Sequence, residues 1–274
     1  MMENPFIEKP YIFGTHEAEL QRLGIQHRVW RPHVTEAWRR AGFTSGQTIL
    51  DLGCGPGFLS LDLAEITGAA GKVIALDRSE EFLSYLDSEA ERRGLQNIST
   101  HCINLDEDEI PEMELDGVYA RWLFAFLRNP KSLLGRAIKR LRRGVTVVLH
   151  EYFHYHTFGF TSPTPAFDVF ISAVLKAWYA EGGTPDIAPN LLMWCEEFGL
   201  TIESVRPIVH IVTPKSYIWQ WPKSFVEVSP WRLADLGFMK KIQVEDLQRE
   251  FAAIEGDGHT RIVTPAVLEI IARK

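Results

Sequence analysis

The residues best suited to bind a small ligand lie between positions 48 and 58. There an apolar run ends in three glycines at alternate positions, Gly53, Gly55 and Gly57. Glycine has no Cβ, so such a loop can turn sharply and let a ligand approach the backbone closely. The apolar run predicts a strand and residues 58–66 predict the start of a helix, where nucleotide-like ligands commonly bind.

Two acidic residues accompany this loop and help to identify its ligand. A dinucleotide-binding Gly-x-Gly-x-x-Gly loop needs a third glycine where this chain has Phe58. Asp51 instead ends the first predicted strand, and Asp77 ends the second, about twenty residues beyond the loop. An acid at the end of the second strand can accept hydrogen bonds from both hydroxyls of a ribose. The alternatives are a purely structural turn and an NAD-binding loop.

With this loop and Asp77, the sequence resembles the class I S-adenosylmethionine-dependent methyltransferases over most of its length. It is also similar to their bacterial small-molecule, UbiE-like group, which carries an N-terminal Tyr-x-x-Gly-x4-Glu-x-x-Arg-Leu-x-x-Gln. The matching residues are Tyr11, Gly14, Glu19, Arg22, Leu23 and Gln26. The resemblance implies an α/β, doubly wound, Rossmann-like fold with a seven-stranded sheet and an antiparallel last strand. It implies S-adenosylmethionine as cofactor and S-adenosylhomocysteine as product.

The resemblance also implies where the cofactor lies. The glycine-loop amides would lie near its aminocarboxylate end, Asp77 would bind the ribose, and Asp106 would meet the adenine amino group. A solvated acidic loop is the alternative for Asp106. Tyr11 and Gln26 would close over the methionine end, or their segment would only pack on the sheet. The predicted cofactor-binding residues are Tyr11, Gln26, Gly53, Cys54, Gly55, Gly57, Asp77, Arg78, Leu105, Asp106, Ala120 and Arg121.

Strand and helix signals alternate along the chain after the loop, as in a parallel sheet with helices on both faces. Helices are predicted over residues 58–67, 79–93, 130–143 and 190–199, and strands over 72–77, 99–104, 117–122, 145–152, 202–213 and 260–271. Before the first strand, Pro32 predicts a break between two helices. We expect an N-terminal helical lid segment at residues 1–44 and a methyltransferase domain at 45–274. Helical insertions are expected at about 155–190 and 214–256, over the active site.

Residues at the ends of the fourth and fifth strands are the candidates for chemistry, because open α/β sheets bind ligands at that edge. Trp122 and Tyr152 are predicted to line the acceptor side, with His154 as a general base, since a neutral imidazole can take a proton near pH 7. A loop histidine bonded to the backbone is the alternative. The fourth strand lacks the Asn-Pro-Pro-Tyr string of enzymes that methylate amide nitrogen, so an amide acceptor is disfavoured.

The string from His150 to His154 has the His-Glu-x-x-His spacing of zinc proteases. That motif needs a helix to bring both imidazoles to one metal, and on a strand the two residues would stand ~13 Å apart. The β-branched residues before His150 predict a strand. We therefore predict no metal site here.

Composition limits which binding partners and which cellular compartment are expected for the protein. The 274 residues suffice for one large domain, or one domain with an insertion, and the net charge of −7 disfavours a nucleic-acid partner. Three scattered cysteines predict a reducing compartment. Neither a signal peptide nor an apolar run of about 18 residues is visible, so a cytoplasmic protein without a membrane partner is expected. The aromatic residues of 214–256 suit a substrate chamber, a homodimer contact or the core.

The function predicted from these residues is methyl transfer from S-adenosylmethionine to O, N, S or C of a small, partly apolar molecule. Two alternatives from other classes stay open. One is an NAD-dependent oxidoreductase, which Phe58 disfavours. The other is a protein that binds the cofactor without transferring its methyl group, or that uses the cofactor for other chemistry.

Overall fold

Apolar runs and amphipathic segments alternate in the computed structural model, which describes residues 14–257 and 259–274. The helices are α1 (Glu17–Ala41), α2 (Phe58–Thr67), α3 (Glu80–Arg92), α4 (Pro130–Lys139), α5 (Pro165–Ala180), α6 (Ala188–Glu197), α7 (Gln220–Asp235) and α8 (Lys241–Asp257). The strands are β1 (Thr48–Leu52), β2 (Lys72–Asp77), β3 (Ile98–Cys102), β4 (Gly117–Arg121), β5 (Thr146–Tyr152), β6 (Gly159–Phe160), β7 (Thr201–Ile208), β8 (Ile211–Val212), β9 (Ile262–Val263) and β10 (Val267–Arg273). Within these described ranges, no helix combines the length and apolarity needed to cross a bilayer.

The main sheet has seven strands in the order β3-β2-β1-β4-β5-β10-β7. Strands β1 to β5 are parallel, whereas β10 is inserted between β5 and β7 and runs antiparallel to both. The predicted doubly wound sheet with an antiparallel last strand is therefore confirmed. The strand order reverses between β1 and β4, and this reversal opens the crevice in which such sheets bind ligands.

Helices bury both faces of this sheet. On one face, Val34 and Trp38 of α1 pack with Ile49, Tyr119 and Val148 of the strands. The other face forms a larger core that includes α4, α5 and α6. All seven residues of β5 are buried, as expected for a β-branched, apolar strand in the middle of a sheet. The buried sheet is a rigid support for the loops at its carboxyl edge.

Helix α1 is continuous, so the predicted break into two helices at Pro32 is wrong. Proline removes one backbone hydrogen bond, but its ring lies on the exposed side of this helix. The apolar face continues through Val29, Trp30, Val34 and Trp38, which are all buried. Packing of that face against the sheet stabilises the helix across the missing bond.

Two predicted strands are each divided in the structure. Residues 202–213 form β7 in the main sheet and β8 in a small second sheet of order β6-β9-β8. Residues 260–271 divide into β9 and the start of β10, with Pro265 between them. Proline has no amide hydrogen to donate, so one ladder cannot continue through it. The small sheet therefore holds the chain just after β7 and just before β10.

Helices α5, α7 and α8 pack on one another beside the carboxyl edge of the main sheet, and α7 also packs against α1. They come from the segments in which insertions were predicted, but α1 is far from them in the sequence. One hydrogen bond joins the two parts directly, from Trp221 Nε1 to Gln26 Oε1 over 3.1 Å. Together α1 and α7 cover the space above the strand ends.

Candidate active site

A cavity of about 440 Å³ lies where β1, β2, β4 and β5 end. Its two parts differ in chemistry. One part is formed by the glycine loop and acidic residues, and the other by aromatic side chains. The polar part includes Gly53, Gly55, Asp77 and Asp106, and the aromatic part includes Trp122, Tyr152, Tyr155, Trp178 and Trp221.

The glycine loop is tightly packed from behind. Gly53, Gly55 and Gly57 have φ values of 65°, 54° and 76°, a region that other residues rarely adopt. A Cβ at Gly53 would lie 2.6 Å from Leu123 Cδ1, and one at Gly57 would lie 2.4 Å from Leu86 Cδ1. Only glycine fits at these two positions, and the loop can therefore approach a ligand closely.

The loop amides mostly bond within the protein. The amide of Cys54 donates to Leu76 O at 3.0 Å, that of Gly55 to Asp77 Oδ2 at 2.8 Å, and that of Gly57 to Cys54 O at 3.0 Å. Pro56 has no amide hydrogen. The amides of Cys54, Gly55 and Gly57 are therefore already bonded, and their predicted place near an aminocarboxylate stays a prediction.

Asp77 lies at the end of β2, in the cavity wall, as predicted for a ribose ligand. Its Oδ2 accepts from Gly55 N at 2.8 Å and its Oδ1 from Ser79 N at 2.9 Å. Burial raises the pKa of this carboxyl, while the two amide hydrogen bonds lower it. Each oxygen retains a second lone pair, so Asp77 can hold the loop and still accept from ligand hydroxyls.

Asp106 also lies in the cavity wall, together with Arg78 and Leu105. Its Oδ1 accepts from the amides of Arg128 at 3.0 Å and Asn129 at 2.9 Å. These amides precede α4, so the carboxylate satisfies donors at a helix start. Two hydrogen bonds therefore hold the Asp106 carboxylate in place near Arg78 and Leu105. The neighbouring acids, residues 107–109, are exposed.

Asp51 is a buried carboxyl beneath the loop. The Ser60 hydroxyl donates to its Oδ2 at 2.6 Å. Burial raises the pKa of Asp51 to about 7, although the Ser60 hydrogen bond and the charge of Arg121 act in the opposite direction. Close to neutral pH, Asp51 thus carries only part of a negative charge.

Trp122 is the centre of the aromatic part. Its ring is nearly parallel to that of Tyr152, with centroids 5.3 Å apart, and to that of Trp221, with centroids 5.7 Å apart. Tyr152 also meets Tyr155 and Trp178 edge to face, at 5.0 and 5.8 Å. The rings form a continuous wall that suits a planar, apolar molecule.

Glu151 fixes the turn that carries Trp122. Trp122 has a φ of 51°, which costs energy for a bulky residue unless its surroundings enforce it. The fully buried Glu151 accepts at Oε1 from the amides of Leu123 and Phe124, both at 2.7 Å. These bonds hold the chain immediately after Trp122. Glu151 is not among the predicted site residues, although the sequence already places it near the end of the fifth strand.

The charge of Glu151 should make stability depend on pH. Burial raises the pKa of this carboxyl to about 8 in the folded protein, against an ordinary value of 4.5. Between these two values the unfolded chain has released the proton and the folded chain has not, so stability should fall as pH rises. The slope for one group is at most about 1.4 kcal/mol per pH unit.

The variant Glu151→Gln tests this effect, because an amide resembles the protonated carboxyl. Urea unfolding at pH 5, 6, 7 and 8 should show the variant gaining stability relative to wild type as pH increases. Other titrating groups cancel in that difference. Parallel stability curves for the two proteins would contradict a protonated Glu151.

Four residues of the N-terminal motif, Glu19, Arg22, Leu23 and Gln26, lie on one face of α1. Arg22 is bonded to Glu19 through Nε and Nη2, at 2.7 and 2.6 Å, and its Nη1 donates to Gln26 Oε1 at 2.9 Å. The same oxygen accepts from Trp221, so the motif joins α1 to α7. Arg22, Leu23 and Gln26 line the cavity. Tyr11 lies outside the described residues.

Three predicted residues do not reach the cavity wall. Ala120 is buried in β4. Gly57, the last glycine of the loop, packs against Leu86 of α3. His154 is exposed, and its ring contacts those of Phe153 and His156. The backbone turns sharply at His154, where φ is 50°, and Tyr155 lines the cavity instead. The structure does not bring the proposed base to the site.

Accordingly, the variant His154→Ala should keep its turnover within about twofold of wild type, because general-base loss typically costs a hundredfold or more. Initial rates on any accepted substrate, with cofactor affinity measured in parallel, provide the test. A hundredfold fall at unchanged cofactor affinity would show that the loop moves His154 to the substrate.

The residues with zinc-protease spacing begin on a strand, as predicted from the β-branched residues before His150. His150 and Glu151 lie in β5, and His150 Nδ1 is 3.3 Å from the Tyr119 hydroxyl. His150 Nε2 is 3.4 Å from Glu269 Oε2. In the part of the chain that the structure describes, no group of three or more His, Cys, Asp or Glu side chains could hold a metal ion.

The aromatic residues of 214–256 have different roles. Trp219 is part of the core, Trp221 lines the cavity, and Trp231 is 40% exposed. Tyr155 and Trp178, which sequence analysis did not assign, complete the chamber from the other insertion. The high density of aromatic residues in the two insertions indicated a possible chamber, but it did not indicate which rings face the cavity.

Comparison with known proteins agrees with this geometry. Residues 43–159 match the sequence model of a family described as a methyltransferase domain. Over 73 residues the chain is 40% identical to demethylmenaquinone methyltransferase of Lactococcus lactis subsp. lactis, which covers 27% of this chain and 28% of that protein. Over 99 residues it is 36% identical to the chloroplastic 2-phytyl-1,4-beta-naphthoquinone methyltransferase of Arabidopsis thaliana, covering 36% of this chain and 35% of that one.

A solved structure shows the same fold over more of the chain. The crystal structure of coclaurine N-methyltransferase bound to N-methylheliamine and SAH gives a TM-score of 0.56 at 20% identity. The match covers 89% of this chain and 72% of that one. The two sequence relatives above are matched over only 28% and 35% of their own lengths.

Proposed function

We infer that the chain is a class I S-adenosylmethionine-dependent methyltransferase of the UbiE-like group, and we propose that it methylates a small, partly apolar molecule. One observation carries the proposal. A single cavity joins the glycine loop and Asp77 to a wall of aromatic rings, with Trp122 between them. A nucleoside-like donor and an apolar acceptor would therefore meet at the end of β4.

The cavity residues fit the proposed cofactor. A Cβ built on Gly55 would meet no protein atom within 4 Å, so the loop backbone faces open space there, in the cavity wall. Asp77 offers lone pairs for ribose hydroxyls, and Asp106 lies at the end where adenine is expected. The residues proposed to line the cofactor are Gln26, Gly53, Cys54, Gly55, Asp77, Arg78, Leu105, Asp106 and Arg121. When bound, S-adenosylmethionine supplies an electrophilic methyl group.

The chain itself mainly positions the acceptor. Trp122, Tyr152 and Trp221 hold a planar molecule by stacking, and α1 and α7 exclude water from above. Aligning the acceptor and excluding water can lower the barrier by several kcal/mol. Two relatives point to the same substrate class, because their names specify a demethylmenaquinone and a naphthoquinone.

Charge and thiols support a small substrate in a reducing compartment. A net charge of −7 opposes binding to nucleic acid. The three cysteines are free, and Cys102 is exposed. Exposed thiols persist in reducing surroundings, so we propose a cytoplasmic enzyme.

Calorimetry and a methyl-release assay test the function. Wild-type protein should bind S-adenosylmethionine and S-adenosylhomocysteine, and NAD weakly or not at all. It should then release S-adenosylhomocysteine with at least one member of a panel of hydroxylated quinones and phenols. Binding of NAD alone would indicate an oxidoreductase. Tight cofactor binding with no turnover on any acceptor class would indicate a cofactor-binding protein without methyl transfer.

A further inference from the structure

Arg121 places a positive charge in the cavity wall, and no residue in the described ranges forms an ion pair with it. Arg121 ends β4 and lines the cavity, and its Nη1 is buried without a hydrogen-bond partner among the described residues. Its guanidinium carbon lies 4.8 Å from the ring centroid of Trp122. An aromatic face attracts the cation but cannot accept hydrogen bonds from several N–H groups in the guanidinium plane.

The carboxylates around Arg121 are already used. Asp51 accepts from Ser60, and burial raises its pKa to about 7, so it offers only a partial charge. Asp62 accepts from Arg31 Nε at 2.8 Å. Burial also lowers the pKa of Arg121, as expected for a cation without full compensation. Such a group costs free energy unless a ligand completes its hydrogen bonds.

The hydrogen bonds of the glycine loop bear on the role of the Arg121 guanidinium. The amides of Cys54, Gly55 and Gly57 bond within the protein, and Pro56 has none. These three amides are therefore not available to an anion placed beside the loop. Arg121 lies next to this loop, because β4 pairs with β1 up to Leu52 and Ala120.

We propose that Arg121 binds the carboxylate of the cofactor's amino acid end. The inference rests on the proposed function. It gives Arg121 the contact with the cofactor's carboxylate, near which the loop amides were predicted to lie. A guanidinium can bind a carboxylate through two parallel hydrogen bonds, and its contact with the face of Trp122 holds it beside the glycine loop. The cavity should consequently discriminate against a decarboxylated cofactor.

Calorimetry with two ligands isolates this contact. S-adenosylhomocysteine carries the carboxylate, whereas S-adenosyl-3-thiopropylamine retains the amine and lacks the carboxylate. Arg121→Gln should weaken S-adenosylhomocysteine binding by about 30-fold or more and change binding of the decarboxylated ligand by no more than about twofold. Arg121→Lys should be intermediate, because lysine keeps the charge without the planar fork. Arg128→Gln, an exposed arginine close by in the chain, is the matched control.

Each other outcome overturns the inference. Equal losses for both ligands would make Arg121 a structural residue, and no loss for either would give it no role in cofactor binding. A loss confined to acceptor binding would assign the anion to the acceptor. A wild-type protein that fails to bind S-adenosylhomocysteine would overturn the proposed function as well, which distinguishes the two failures.

Discussion

Replacing Asp77 by alanine should lower the affinity for S-adenosylhomocysteine by about 100-fold or more. Two effects combine in this variant. The proposed hydrogen bonds to the ribose disappear, at ~1.5 kcal/mol or more each for a charged acceptor. The amides of Gly55 and Ser79 also lose their acceptor, so the loop is less well ordered before binding. Calorimetry measures the affinity, and circular dichroism confirms the fold.

Two further variants make this result specific. Asp77→Asn can satisfy only one of the two amides with its single carbonyl oxygen, so its affinity should lie between those of wild type and Asp77→Ala. Asp87→Ala, on the exposed side of α3, should bind like wild type. Unchanged affinity in a folded Asp77→Ala protein would remove Asp77 from the site.

Replacing Trp122 by alanine should lower kcat/KM for the acceptor by about 100-fold or more, with a smaller loss of cofactor affinity. The ring stacks with those of Tyr152 and Trp221, so its removal leaves a gap in the wall proposed to orient the acceptor. A misplacement of about 1 Å at the reacting atoms can cost a hundredfold in rate. Steady-state kinetics on an identified acceptor provide the measurement.

Loss of stability must be separated from this effect, because truncating a packed tryptophan typically costs about 3–5 kcal/mol. Trp122→Phe keeps an aromatic ring and should lose only about tenfold in kcat/KM. Trp231→Ala, at a tryptophan that is 40% exposed, should behave like wild type. If Trp122→Ala retains kcat/KM on the acceptor, the stacked rings serve the core alone.

The parts of the site that sequence could predict are those encoded locally. Gly53, Gly55 and Gly57 lie within five residues, and Asp77 follows at the spacing of one strand-helix-strand unit. The strand alternation likewise reflects local apolar patterns, and the seven-stranded sheet with an antiparallel last strand followed from the resemblance. Local signals could not specify where β7 ends or where β10 begins. Tertiary contacts decide the first boundary, and Pro265 separates β9 from β10 at the second.

Only Trp122 and Tyr152 of the acceptor chamber were predicted, because its other rings come from distant segments. Trp221 reaches Trp122 only when α7 packs on α1, and Trp178 comes from α5. The failure at His154 has a local cause. The chain turns there into a short 3₁₀ helix, and the Tyr155 amide donates to Asp186 Oδ1 at 2.6 Å. This bond fixes Tyr155 inward and leaves His154 outward.

The position of β10 bears on the order in which the chain can fold during synthesis. Strand β7 leaves the ribosome before β10, yet its place in the main sheet depends on pairing with β10. Until residues 267–273 emerge, β5 also has an open edge. Such long-range pairing is slow and leaves strand edges exposed to other chains. A nascent chain halted before residue 267 should therefore bind chaperones or aggregate, even though it already contains the glycine loop and Asp77.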